Sequence, residues 1–219
     1  EAFETLRTTV IPELIASKKS GDQIRIWVPA CSTGEEAYTI AMLFTLELEK
    51  SDKSLDLKVF GTDLDADAIS SAATGMYSAE SLECIDPQIV ARFFRASGEL
   101  FQVDATLRKT IVFAEQNLLK DPPFTKIDLV SCRNFLIYLQ PIAQKKVFTM
   151  FLFSLNVGGL LFLGPSESLG DLESEFETVD RHWNLMRKRR DVRISPMINL
   201  PSYPANNRVP KSTHPVEAR

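Results

Sequence analysis

The sequence predicts an α/β fold built on a doubly wound, mostly parallel sheet. Short apolar runs fit for buried strands alternate with amphipathic helical stretches. Each of those runs is followed by a polar loop that opens the next element, as at the ligand-binding edge of an open sheet. The composition is that of one large globular domain: 219 residues, 44% hydrophobic and 25% charged. A chain of this size buries a core without staples. Its net charge of −4 lacks the cationic excess that phosphate neutralisation requires, which argues against a nucleic-acid partner. Cys31, Cys84 and Cys132, odd in number and widely spaced, fit a reducing compartment better than a disulfide framework. No metal-ligand spacing appears, so no metal is expected.

Residues 1–20 read as a lead-in helix, with Phe3, Leu6, Val10, Leu14 and Ile15 near helical spacing and Pro12 forcing a bend or restart. The domain proper spans 21–193. Ile24 to Val28 is a first strand, PACSTG its loop, and Glu35 to Lys50 a helix with Ala37, Ile40, Ala41, Leu43, Phe44 and Leu48 on its apolar face. Leu57 to Gly61 is a second strand, TDLD its loop and Ala66 to Ala73 a second helix. An insertion at about 75–115 breaks this rhythm with short helices and turns. Within it, Glu99 to Val103 and Thr110 to Ala114 alternate like two antiparallel strands of a small β-hairpin subdomain. The parallel pattern resumes at Ile127 to Ser131, continues through CRNFLIYL and a helix from Pro141 to Leu155, and reaches a strand at Leu160 to Leu163. His182 to Lys188 closes the sheet.

The apolar run from Val147 to Gly164 nearly reaches bilayer-spanning length. Asn156 and the pair Gly158-Gly159 interrupt it, so a helix stop and a short buried strand are expected, with no membrane insertion. The N-terminus shows no secretory signal, which predicts a cytoplasmic protein. The basic run RKRRDVR reads as a solvated strand end. Residues 194–219 hold five of the twelve prolines and no glycine, as in a flexible or extended linker within a longer parent chain.

The loop after the first strand has one glycine and no lysine, so neither phosphate-cradling glycine pattern is present. Glu35 and Glu36 occupy the first turn of the following helix. They either cap it electrostatically or attract a cationic ligand. Asp63, just past the second strand, is placed to accept from both hydroxyls of a ribose, while Asp63 and Asp65 also suit an Asx turn. A ribose, a cationic amino-acid-like group and no phosphate together describe S-adenosylmethionine.

With CSTGEEAY, GTDLD, NLL, CRNFLIY and GGLLFLGPSES in order, the chain resembles the S-adenosylmethionine-dependent chemoreceptor methyltransferases, the CheR family, over residues 1 to about 190. KDPPFTKIDLVSCRNFLIYL and DRHWNLMRKR most resemble such domains inside large hybrid sensor proteins, which implies neighbouring domains in a parent chain. The resemblance implies a Rossmann-like class I methyltransferase fold, and S-adenosylmethionine as cofactor with S-adenosylhomocysteine as product. It also implies a protein substrate whose glutamates are methylated. Carried over residue by residue, Gly34 opens the cofactor loop, Glu36 meets the methionine ammonium and Asp63 the ribose. Asn117 and Leu118 flank the adenine, Arg133 and Asn134 line the same cleft, and Tyr138 sits near the transferred methyl. Tyr138 and, secondarily, Arg133 are the expected catalytic contacts to the substrate carboxylate. On the residues alone, Asn117 also suits a turn cap and Arg133 a partner for Asp128 or a helix carboxylate. The T-x-F-F-R motif expected just before Glu1 and the family's helical N-terminal domain are missing. The short hairpin at Ser97-Gly98-Glu99 lacks the glycine-rich insertion that grips a receptor tail. Two other readings stand beside this one: a non-catalytic module that binds S-adenosylmethionine or S-adenosylhomocysteine, and a small-molecule methyltransferase.

Overall fold

The computed structural model describes residues 1–191; the proline-rich segment 194–219 lies outside the described residues. The lead-in helix runs as Ala2–Thr5, a π-helical turn Leu6–Val10, and Ile11–Ser17. Pro12 has no N–H to donate back, and the wide turn immediately before it absorbs the missing bond. The restart expected at this proline is present.

Ten strands follow: β1 (Gln23–Pro29), β2 (Asp56–Asp63), β3 (Met76–Ser78), β4 (Phe94–Ser97), β5 (Leu100–Val103), β6 (Ile111–Glu115), β7 (Ile127–Cys132), β8 (Leu155–Leu163), β9 (Phe176–Asp180) and β10 (Leu185–Lys188). Seven form the main sheet in the order β6-β2-β1-β7-β8-β10-β9. The first five of that series are parallel, and β10 is antiparallel to both neighbours. The strands β3, β5 and β4 make a separate antiparallel sheet, with Gly98-Glu99 as the two-residue turn between β4 and β5.

This pairing corrects the expected hairpin. Thr110 to Ala114 does not pair with Glu99 to Val103; β6 joins the edge of the main sheet beside β2, from Ile111 against Val59 to Glu115 against Asp63. Alternation along a half-exposed edge strand looks the same as alternation in a hairpin, and the helix Ala105–Lys109 between the two segments separates them.

Helices cover both faces. Ile24, Ile26 and Val28 pack with the lead-in helix and Glu35–Leu48, while Trp27, Val130 and Leu161 face Phe148 and Phe151 of Pro141–Ser154. Trp27 is fully buried and donates from Nε1 to Thr62 Oγ1 at 2.9 Å, which satisfies its one polar atom.

Pro141–Ser154 passes directly into β8, earlier than the glycine pair predicted. The Lys188 ammonium terminates it, donating to the carbonyls of Leu152 (2.8 Å) and Leu155 (2.7 Å). The glycine pair instead sits where the register of β7 and β8 shifts, and Gly158 there has φ +79°. Lys188 is therefore buried rather than solvated. Arg187 pairs with Glu13 and Arg190 with Glu175, so the basic run is largely neutralised within the fold. Among the described residues no helix is long and apolar enough to cross a membrane.

Candidate active site

The five parallel strands end on one rim, which brings together the loops after β1, β2, β6, β7 and β8. The first loop is strained: Ala30 (φ 53°) and Ser32 (φ 48°) join Gly34 (φ 93°) in the left-handed region, where side chains with a Cβ are disfavoured. Gly34 has a steric reason as well. A Cβ there would lie 2.9 Å from Ala72 Cβ and 3.1 Å from the Phe113 ring. Gly34 is buried, and it lets the chain turn tightly into the helix Glu35–Leu48. Tyr77 of the small sheet donates to the Thr33 carbonyl at 2.8 Å, fastening that subdomain to this loop.

Asp63 ties two loops together. Its Oδ2 accepts from the Ser32 N–H at 2.8 Å and its Oδ1 from the Asp65 N–H at 3.0 Å. The Asx-turn geometry is thus present, and each carboxylate oxygen retains a lone pair for a further donor. Asp65 caps Ala66–Thr74 by accepting from the N–H groups of Asp67 and Ala68. Gln116, just beyond β6, donates its N–H to the Asp63 carbonyl at 2.8 Å. Asn117 follows it and forms a turn cap: its Oδ1 accepts from Leu119 N–H, and its own N–H donates to Asp121. Leu118 is buried in the core beneath.

Glu36 projects toward β7, where the buried Ser131 hydroxyl donates to its Oε1 at 2.5 Å. Burial pushes the Glu36 carboxyl above the usual carboxylate range. The Ser131 hydrogen bond and the Arg133 charge oppose that rise, and Glu167 adds to it. Glu36→Gln is therefore expected to raise the melting temperature of the ligand-free protein at pH 7, since the amide leaves an acceptor for Ser131 without a buried charge. The folded state holds this proton to higher pH than the unfolded chain, whose ordinary value is 4.5. The associated stability is present below that value and is lost as pH rises through the folded-state value. The advantage of the glutamine consequently shrinks on acidification. Thermal melts at pH 4 and pH 7 check this, and a variant less stable than wild type at neutral pH contradicts it.

Arg133 lies near Glu36 and is gripped by aromatic rings rather than by acids. Asp128, one partner considered for it, is already engaged by Lys18 (2.8 Å), Asn156 (2.8 Å) and the Arg25 N–H (3.0 Å). Asn134 has φ +60°, and its Oδ1 would lie 2.7 Å from a Cβ placed on Gly164; the loops after β7 and β8 touch there. Tyr138 ends the short 3-10 turn Leu136–Tyr138 and is 79% exposed. Its hydroxyl has no hydrogen-bond partner among the described residues.

Two residues were missed by the sequence reading. Glu167 is buried and accepts three backbone N–H groups: Phe135 (3.0 Å) and Leu136 (2.8 Å) through Oε1, and Gly164 (2.7 Å) through Oε2. It thereby clamps the loop carrying Arg133 and Tyr138 to the loop after β8. Its sequence signal was its place in the GPSES segment quoted above, to which no role had been assigned. Leu64, 62% exposed directly after Asp63, offers an apolar surface on the rim; its signal was one aliphatic residue in an otherwise acidic loop.

The arrangement suits a zwitterion attached to a nucleoside. A carboxylate (Glu36) and a guanidinium (Arg133) that acts on it electrostatically share the rim, with a second carboxylate (Asp63) at the end of β2. The rim thiols are not nucleophiles: burial raises Cys31 to about 12 and holds Cys132 well above its ordinary value. No cluster of metal-ligating side chains occurs among the described residues.

The chain is similar to several known proteins. Over 190 residues the chain is 40% identical to an uncharacterized 104.1 kDa protein of Rhodobacter capsulatus, covering 85% of this chain and 20% of that protein. It is 35% identical to a probable chemotaxis protein methyltransferase of Rhizobium etli (81% and 68% covered) and 34% identical to chemotaxis protein methyltransferase 2 of Vibrio cholerae (80% and 61%). The chain thus spans between a fifth and about two thirds of these relatives. Among solved structures, a TehB-like SAM-dependent methyltransferase from Corynebacterium glutamicum matches with TM-score 0.48 at 14% identity, covering 85% of this chain and 94% of that one. The profile described as CheR methyltransferase, SAM binding domain, matches residues 1–185. The chain belongs to that family, with a Rossmann-like methyltransferase fold and S-adenosylmethionine as its cofactor.

Proposed function

We propose that this domain transfers a methyl group to glutamate side chains of a chemoreceptor or related signalling protein, acting within a longer parent chain in the cytoplasm. The observation that carries the reading is the placement of the Glu36 and Asp63 carboxylates, with Arg133, on the loops of one rim, in a chain whose relatives include proteins named as chemotaxis methyltransferases. The three free cysteines are consistent with that compartment.

Bound S-adenosylmethionine supplies an electrophilic methyl on a sulfonium. Glu36 would hold the ammonium of its amino-acid end and Asp63 the ribose hydroxyls, with Leu64 and the Asn117-Leu118 turn beside the adenine. Gly34 shapes the loop behind the ligand, and Asn134 sets the floor of the cleft next to Gly164. A glutamate acceptor, with an ordinary pKa of about 4.3, is already anionic at neutral pH and needs no general base. The buried thiols on the rim, Cys31 and Cys132, are held protonated. Acceptor and cofactor bear opposite charges, so this chain's residues would contribute mainly by orienting the two. Tyr138, exposed at the mouth, is the group placed to donate to the incoming carboxylate, and Arg133 keeps the cleft cationic.

The test uses the full-length parent protein, labelled S-adenosylmethionine and purified receptor cytoplasmic regions. The expected product is a receptor-bound label released as methanol by mild alkali. An alkali-stable label, or label only on small molecules, overturns the reading. Tight cofactor binding with no ester identifies the non-catalytic module instead.

A further inference from the structure

Arg133 is held in an unusual way. Its Cζ lies 4.9 Å from the centroid of the Phe3 ring and 4.8 Å from that of Phe162. The two rings meet edge to face, 5.8 Å apart at 86°. Phe162 is buried on β8, and Phe3 comes from the opening turn of the lead-in helix. The Arg133 Nε is buried without a hydrogen-bond partner, and no described carboxylate lies within ion-pair distance of the guanidinium. A guanidinium normally satisfies its donors on a planar acceptor such as a carboxylate. Here π faces orient it, which leaves its terminal nitrogens uncommitted.

The Arg133 charge reaches Glu36, whose proton affinity it lowers. Glu36 is already engaged by the Ser131 hydroxyl. Unlike charges on one rim complement an α-amino acid, whose ammonium and carboxylate are separated by a single carbon. We infer that Phe3 and Phe162 are positioning residues that hold Arg133 for the carboxylate of the cofactor's methionine moiety, which makes the lead-in helix part of the cofactor site. This rests on the cofactor placement above. It assigns Arg133 to the cofactor and leaves Tyr138 as the contact to the substrate carboxylate.

Two ligands separate this role from a merely structural one. S-adenosylhomocysteine carries the amino-acid end; 5′-methylthioadenosine keeps adenine, ribose and thioether but lacks it. In calorimetric titrations of the full-length protein, Phe3→Leu is expected to weaken S-adenosylhomocysteine by about fivefold to tenfold, the range of a partly desolvated cation–π contact. Binding of 5′-methylthioadenosine stays unchanged. Arg133→Met shows the same split, and Phe3→Tyr, which keeps the π face, binds both ligands as wild type does. Pentafluorophenylalanine at position 3 preserves ring shape while removing the electron-rich face, so it reproduces the Phe3→Leu result even if leucine perturbs folding. Equal weakening of both ligands, or of neither, overturns the clamp while leaving the cofactor site standing. A wild-type protein that takes up neither ligand overturns the cofactor placement itself.

Discussion

Asp63→Ala is expected to lower affinity for S-adenosylhomocysteine on the order of a hundredfold or more, with methyl transfer lost at ordinary cofactor concentrations. Two contributions add. Hydrogen bonds between a carboxylate and the two ribose hydroxyls are worth about 1.5–3 kcal/mol each. The same side chain also accepts from Ser32 and Asp65 N–H groups, so its removal frees the strained first loop to relax away from the geometry the ligand meets. Asp63→Asn keeps one acceptor oxygen and is expected to fall between wild type and alanine. Isothermal titration at pH 7 measures all three, and an alanine variant that binds as wild type does would remove the ribose from this position.

Glu167→Ala is expected to have the largest effect on stability. Three N–H groups lose their acceptor at a buried position, and each unsatisfied donor costs about 1–3 kcal/mol. A total near 3–5 kcal/mol would lower the melting temperature by about 10 °C or more in a domain of this size. Methyl transfer should disappear well below the melting temperature, because the loop bearing Arg133 and Tyr138 is no longer pinned to the loop after β8. Glu167→Gln keeps an acceptor for Phe135 and Leu136 but turns a donor toward Gly164 N–H, so an intermediate loss follows. A melting temperature within about 2 °C of wild type for the alanine variant would show that the clamp contributes nothing.

The rim of the sheet was legible because its signals are local. Glu36 and Asp63 stand at short, fixed distances from strand ends, and strands buried on both faces read as continuous apolar runs. The topology was less legible where a segment is half exposed: β6 alternates as a hairpin strand does, and β9, with the sequence FETVD, has no apolar run to announce it. What remained hidden depends on contacts between distant segments. Lys188 looks like part of a solvated basic run until the carbonyls of Leu152 and Leu155 are seen to receive it. Glu167 gains its meaning only from Phe135, Leu136 and Gly164, and Arg133 only from Phe3 and Phe162. Asn117 carried two readings, and its turn-capping bonds are present whether or not adenine lies against the same turn.

The buried ammonium of Lys188 has a practical side for anyone dissecting the parent chain. The family profile ends at residue 185, at the first residue of β10. A fragment cut there would leave two carbonyls at the end of Pro141–Ser154 stranded in apolar surroundings and would strip β8 and β9 of their shared neighbour. The unit that folds extends past the profile match, and excision should follow the former.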